Sequence, residues 1–280
     1  MKIIEKIKNL QFFVEKFKKE NKIISFIPTM GSLHEGHLSL IKKAKKGENT
    51  IIIVSVFVNP TQFNNSEDLE KYPRNLNKDI SLLENFLSKN DIIFAPSEKE
   101  MYPINDNRNF YFGDLENVME GKHRKGHFNG VAKIVSKLFD FVKPDKAFFG
   151  KKDFQQIAII KNLVKNYNYK VEIIPCEIVR EKNGLAMSSR NILLSKEERK
   201  NANDIYKILK ESTKKNIPIS DLKHWVNNKI NENSHFMLEY FEIRDDIFLK
   251  DVNSWKEDCK KIGFIAVKIG NVRLIDNIFY

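Results

Sequence analysis

Cysteine is nearly absent from this 280-residue chain: Cys176 and Cys259 lie far apart and in no motif. That excludes a disulfide framework and a cysteine-built zinc module, and a reduced, cytoplasmic setting fits. No run of 18 apolar residues occurs, so no membrane span is expected. Residues 1–10 alternate lysine with isoleucine and lack the apolar core and cleavage site of a signal peptide. Internal repeats and low-complexity linkers are missing as well. Charge is lopsided, with 48 Lys and Arg against 37 Asp and Glu, a net +11. The lysines are spread along the whole chain, and no helix-turn-helix cue, aromatic–basic stripe or zinc knuckle accompanies them. Nucleic acid is therefore not an expected partner, and acidic small substrates account for the sign as well.

What is present is a globular chain, 41% hydrophobic and 11% aromatic, long enough for a full core. It is organised around residues 28–37, PTMGSLHEGH. Ile23 to Ile27 read as a short apolar strand before it. Leu38, Ile41 and Ala44 mark a helical face after it. A strand, a turn of small residues and a helix N-terminus make an anion site, because unpaired N–H groups and partial positive charge face outward there. Gly31 and Gly36 permit close backbone approach or positive φ. His34 and His37, three apart, place both imidazoles on one side of a first helical turn. Such a pair serves a metal, a phosphate or neither. The zinc-protease pattern spaces its ligands four apart and no third ligand lies nearby, so no metal is expected on these histidines.

The rest alternates strand and helix. Apolar positions from Ile4 to Phe17 predict a helix over residues 3–20. Ile51 to Val58 reads as a central parallel strand ending at Asn59-Pro60-Thr61-Gln62, which makes Asn59 and Gln62 site candidates by topology. A helix carries Leu76, Ile80, Leu83 and Leu87 on one face, and Asp91 to Ala95 forms a short strand. Residues 97–126 read as irregular and polar, with 121–127 the most flexible and basic part, by default a solvated loop and on the sharper reading a mobile flap that contacts phosphate. A strong amphipathic helix runs from Val131 to Val142. The strand Lys146 to Phe149 leads into Gly150-Lys151-Lys152-Asp153, a second anion-binding turn that is not a Walker A loop. A helix follows with Ile157, Ile160, Val164 and Tyr167 inward, then a strand over 171–174. Past Cys176 come a hairpin about Asn183-Gly184, a capping box at Ser195 and Glu198, a helix near Ser220, and strands near 237–243, 262–269 and 272–275. The fold class predicted is α/β: a Rossmann-like, mostly parallel sheet flanked by helices over 1–176, with a smaller α+β domain over 177–280.

His-x-Gly-His after a first strand resembles the signature of α/β nucleotidyltransferases, whose histidines act on ATP phosphates. Seven segments in order make the resemblance specific: PTMGSLHEGH (28–37), SVFVNPTQF (55–63), KYPR (71–74), GHFNGVAKIVSKLF (126–139), FFGKKDFQQ (148–156), GLAMSSRN (184–191) and RLIDN (273–277). Together they resemble the pantoate–β-alanine ligase family over nearly the full length. The resemblance implies adenylation of pantoate by ATP with release of pyrophosphate, then attack by β-alanine to give pantothenate and AMP. It implies ATP with Mg²⁺ on the triphosphate, no tightly bound cofactor, and a homodimer. His37 and His34 are implied as catalytic groups, His37 as proton donor, with Lys152 and Arg190. ATP contacts are implied for Met30, Gly31, Ser32, Leu33, His34, Glu35, Gly36, His37, Gly150, Lys151, Lys152, Asp153, Val179, Met187, Ser188, Ser189 and Arg190. Gln62 and Gln156 match the amides that hold pantoate, Gln62 also being placed near β-alanine, with Asn59 and Tyr72 around the same pocket. Arg124 matches a mobile-loop arginine, and the 177–280 domain is implied to close the ATP site. Departures are Lys151 where an acid is usual, Thr61 for Met or Leu, and Lys125 where Pro is common. Two rival readings compete with this one. Another nucleotidyltransferase of the same signature is disfavoured by Gln62 and Gln156. A non-catalytic nucleotide- or RNA-binding module is disfavoured by the intact His34, His37, Lys152, Ser188 and Arg190.

Overall fold

Residues 51–54 show how the first sheet is built. In the computed structural model, which describes residues 1–280, Ile51 and Ile53 join one apolar cluster while Ile52 and Val54 join another. Successive side chains of a strand point to opposite faces, so a wholly apolar strand needs cover on both. This strand, β3 (Thr50–Val56), sits inside a six-stranded sheet with β1 (Lys2–Ile4), β2 (Ile23–Thr29), β4 (Ile92–Phe94), β5 (Lys146–Gly150) and β6 (Glu172–Cys176). The order is β1-β4-β3-β2-β5-β6, and every pairing is parallel.

Helix α1 (Ile7–Lys19) covers one face through Leu10, Val14 and Phe17. α2 (Glu35–Ala44) covers the other through Leu38 and Ile41, and Leu83 of α3 (Leu76–Glu84) joins it there. α4 (His127–Val142) and the part of α5 (Phe154–Asn166) from Ile157 onward pack on the α1 side. Each buried Leu, Ile or Phe contributes on the order of 1.5–3 kcal/mol over an exposed one. The chain moves outward from β2 to β3 and β4 on one side and to β5 and β6 on the other. Ligands of open α/β sheets bind at such a reversal, beyond the carboxyl ends of the strands. The histidine turn leaves β2 there, and the lysine turn leaves β5.

The chain divides into two compact units, Met1–Lys151 with Gln156–Glu177, and Lys152–Gln155 with Ile178–Tyr280. In the second, α6 (Lys196–Ser212) and α7 (Ile219–Asn231) share a core with an antiparallel sheet of β7 (Phe236–Asp245), β8 (Lys261–Ile269) and β9 (Val272–Phe279). The capping box at Ser195 and Glu198 forms as expected. No helix is long and apolar enough to cross a membrane.

Three local expectations are corrected. The helix predicted from residue 3 starts at Ile7, because residues 2–4 pair with β4 as an edge strand. Helical spacing simply ran on through two β-branched residues that the sheet edge claimed first. Tyr167 is not inward; it follows the last turn of α5 and is 51% exposed. Residues 97–126 are not irregular throughout. They hold the short helices Glu98–Met101 and Met119–His123 and a 3₁₀ turn at Gly113–Glu116.

Candidate active site

The histidine turn begins with two residues in the left-handed region, Gly31 at φ 77° and Ser32 at φ 50°. Glycine takes that conformation freely, but serine at φ > 0 costs on the order of 1 kcal/mol and needs outside support. Asp79 supplies it. The Ser32 amide donates to Asp79 Oδ2 at 2.9 Å and the Leu33 amide to Oδ1 at 2.7 Å. A side chain at Gly31 would meet that carboxylate at 2.9 Å, so glycine is also required for space. Burial pushes the Asp79 carboxyl above its ordinary value, with the Leu33 and Ser32 amides pulling it back.

His34 is the N-cap of α2 rather than a member of its first turn, and its Nδ1 accepts from the Gly36 amide at 3.1 Å. The His34 amide donates in turn to His37 Nδ1 at 3.3 Å. The two rings lie on one side, 4.1 Å between centroids. Both Nδ1 atoms act as acceptors, so the proton of each neutral ring sits on Nε2. This is a capping box made from two imidazoles. It fixes both rings as Nε2–H donors.

Beyond β3, Asn59 is buried and engaged on both ends of its amide. Tyr102 donates to Asn59 Oδ1 at 2.7 Å, and Asn59 Nδ2 donates to Gln62 Oε1 and to the Gly130 carbonyl, each at 3.1 Å. With its oxygen occupied, Gln62 turns Nε2 toward Met30 Sδ at 2.9 Å, which ties this turn to the histidine turn. His127 Nδ1 lies 2.8 Å from the Gln62 carbonyl. Gly130 admits the Thr61 backbone, where any side chain would collide. Tyr72 is buried edge-on against Phe63 at 5.6 Å between centroids. Burial pushes the Tyr102 hydroxyl up, so it remains a donor throughout the neutral range.

At the end of β5, Gly150 pairs with Cys176, and Lys151 is bonded to Glu177. Arg124, half-buried, follows the helix Met119–His123 and lies 3.6 Å from the Glu120 carboxylate. Gln156 is half-buried in α5.

In the second unit, Lys152 Nζ is 3.6 Å from Asp153 Oδ1. Ser188 caps a 3₁₀ turn, Ser189–Leu193, accepting from the Arg190 amide at 3.3 Å, and Ser189 is buried. The Met187 amide donates to the Val179 carbonyl at 2.9 Å. Asn191 Nδ2 donates to Glu181 Oε1 at 3.0 Å and to the Ala186 carbonyl at 3.1 Å. Arg199 also donates to Glu181, at 2.8 Å.

A sequence profile of the family described as pantoate-beta-alanine ligase matches residues 2–279. The chain belongs to the pantoate–β-alanine ligase family. Among its relatives in that family, the pantothenate synthetase of Azobacteroides pseudotrichonymphae genomovar. CFP2 is 52% identical over 282 aligned positions, covering all of both chains. That of Bacteroides thetaiotaomicron is 49% identical, covering all of this chain and 99% of the relative. A crystal structure of pantothenate synthetase from Thermus thermophilus superposes with a TM-score of 0.91 at 35% identity, covering 99% of each chain. The pantoate-beta-alanine ligase of Francisella tularensis, solved in complex with beta-gamma ATP and beta-alanine, gives 0.83 at 38% identity, over 100% and 97% of the two chains.

Within this pantoate–β-alanine ligase fold, the first unit gathers Met30 to His37, Asn59 and Gln62 into one bonded set. Two members of it lie outside every motif quoted from the sequence, Asp79 and Tyr102, and a third, His127, lies in the 126–139 segment with no site role assigned to it. Asp79 left a signal, since it precedes Leu83 and Leu87 at spacings of four and so falls on the apolar stripe of α3, where a carboxylate needs a partner. Leu76, assigned to that stripe from the sequence, is 36% exposed instead.

Proposed function

We infer that this chain is an ATP-dependent ligase that joins pantoate to β-alanine, giving pantothenate, AMP and pyrophosphate by way of a pantoyl-adenylate. The observation carrying this reading is the pair of imidazoles held as Nε2–H donors at the carboxyl end of β2. A pantoate carboxylate oxygen attacks the α-phosphorus of ATP, and the bond to the bridging oxygen breaks as pyrophosphate leaves with the electron pair. Negative charge grows on that bridge and on the leaving phosphates. Donors already aimed at such charge stabilise it without reorganising. His37 donates from Nε2 and His34 adds a second donor, with Met30 to Gly36 lying along the nucleotide. Gly150 to Asp153, Val179 and Met187 to Arg190 supply the remaining ATP contacts, with Lys152 and Arg190 adding fixed positive charge and Arg124 a further cation.

Pantoate is assigned to Gln62 and Gln156, with Tyr72 bordering the pocket. Because Asn59 occupies Gln62 Oε1, Gln62 meets the substrate through N–H, the right partner for carboxylate and hydroxyl oxygens. Asn59 thus acts through Gln62. In the second step the β-alanine amine attacks the acyl carbon, AMP departs with the electron pair of the acyl–oxygen bond, and the amine loses a proton. ATP enters as its Mg²⁺ complex. The family resemblance supports placing that ion on the triphosphate. The family resemblance supports a homodimer, and two free cysteines fit a reducing cytoplasmic setting.

The experiment is pyrophosphate release from ATP with pantoate alone, then with β-alanine added. About one equivalent per enzyme is expected in a burst without β-alanine, and steady turnover with it. Release that requires β-alanine from the outset would sink the adenylate route.

A further inference from the structure

The closing segment RLIDN has no part in the chemistry above, yet its Asp276 and Asn277 are buried and belong to a run of bonds that ends at Lys152. Asn277 Nδ2 donates to the Lys152 main-chain carbonyl at 3.0 Å, across 125 residues of sequence. The Asn277 amide donates to Asp276 Oδ1 at 2.8 Å. Arg180 grips Asp276 with two prongs, Nη1 to Oδ2 at 2.6 Å and Nη2 to Oδ1 at 2.9 Å. Its guanidinium lies 3.7 Å from the centre of the Tyr206 ring and also donates to the Gly184 carbonyl at 3.1 Å. A two-pronged Arg–carboxylate pair fixes orientation as well as distance.

The segment Lys152–Gln155 belongs to the second compact unit although it follows β5 of the first. Two anchors hold it there. One is the Asn277 amide; the other is Phe154, whose ring stands edge-on to Phe264 and Phe279 at 5.8 and 6.1 Å. A lysine stem has four rotatable bonds, so the place its ammonium reaches is set by where its main chain is held. A misplacement of about 1 Å at such a group can cost a factor on the order of a hundred in rate.

We propose that Asn277, locked by the Arg180–Asp276 pair, is a positioning residue for Lys152, fixing the backbone from which the phosphate-binding ammonium projects. The proposal rests on the reading that Lys152 acts on the ATP phosphates. If so, Asn277 acts only through Lys152, and its effect vanishes once the lysine side chain is gone. A residue that merely glues the fold shows no such dependence.

The test is a double-mutant cycle on steady-state pyrophosphate release from ATP and pantoate with β-alanine present, using Lys152→Ala, Asn277→Ala and the double variant. Asn277→Ala is expected to lower kcat roughly tenfold or more, with the KM for β-alanine within about twofold of the parent. The double variant is expected within about twofold of Lys152→Ala alone. Multiplied losses in the double variant overturn the proposal and leave Lys152's own role standing. A Lys152→Ala enzyme close to the parent overturns the phosphate role first and the positioning role with it. Should Asn277→Ala fail to fold, Arg180→Lys keeps the charge but loses the two-pronged grip, and the same cycle decides.

Discussion

The histidine turn and the Ser188-Ser189-Arg190 turn are held in opposite ways. The first depends on one buried carboxylate, Asp79, answered by two backbone amides rather than by an ion pair. The second stands in a net of charged pairs, with Glu181 shared by Asn191 and Arg199, and Asp276 gripped by Arg180. A lone carboxylate among amides carries the burial penalty of its own charge. Paired groups offset part of that penalty, though burial still pushes the Asp276 carboxyl above its ordinary value against the pull of Arg180, and they offer more than one route to the same geometry. The strained residues of the histidine turn, Ser32 and Leu33, therefore lean on one carboxylate beside the turn's own capping box and its tie to Gln62, whereas the serine–arginine turn is held by several side-chain pairs.

The widest gap should appear at the histidines themselves. His37→Ala and His34→Ala are each expected to lower the adenylation rate by about a hundredfold or more, measured as pyrophosphate release. Thermal midpoints should fall by only a few degrees, since what each variant loses in the fold is its part of the α2 capping box, worth about 1 kcal/mol. Turnover within threefold of the parent for either variant would end the assignment.

Next comes Asp79→Asn, which can accept from only one of the two amides. Adenylation is expected to fall by roughly tenfold, because the turn's geometry and not its chemistry is damaged. Stability should respond differently. Burial raises the folded carboxyl above its unfolded value, so the folded state takes up a proton between the two. The stabilisation linked to that proton is fully present below the unfolded pKa and is lost as pH rises through the folded one. Asp79→Asn should flatten that part of the stability curve, read from denaturant midpoints across acid pH. An unchanged slope would show that Asp79 titrates normally.

The smallest effect is expected at Glu181→Gln. Asn191 keeps its bond to the Ala186 carbonyl, and Arg180 keeps Asp276. Turnover should stay within about threefold of the parent. A loss as large as that of Asp79→Asn would erase the distinction between single and redundant support.

This contrast also explains which parts of the site are legible in the sequence. Strand–turn–helix units are local, and so PTMGSLHEGH, NPTQF and GKKD announce themselves with their flanking strands. The groups that hold them are remote along the chain: Asp79 bonds residues 46 and 47 positions away, Tyr102 one 43 away and Asn277 one 125 away. Hydrophobic period places an element but does not choose which distant amide a carboxylate will meet. Asn59 illustrates the limit. Its position beyond β3 is legible, but its part in orienting the Gln62 amide depends on the bonds from Tyr102 and to Gly130. At the edge of the sheet the same limit misplaces residues 2–4, whose strand exists only because β4 is there to pair with.

The donor role at the phosphates turns on the protonation geometry of the two imidazoles, and ¹⁵N-detected spectra of histidine-labelled protein near pH 8 measure it directly. Shifts and two-bond couplings that place the proton on Nε2 in both His34 and His37, with Nδ1 bare, are the predicted result. A proton on Nδ1 in either ring would contradict the capping geometry and, with it, the donor role on which the adenylation chemistry depends.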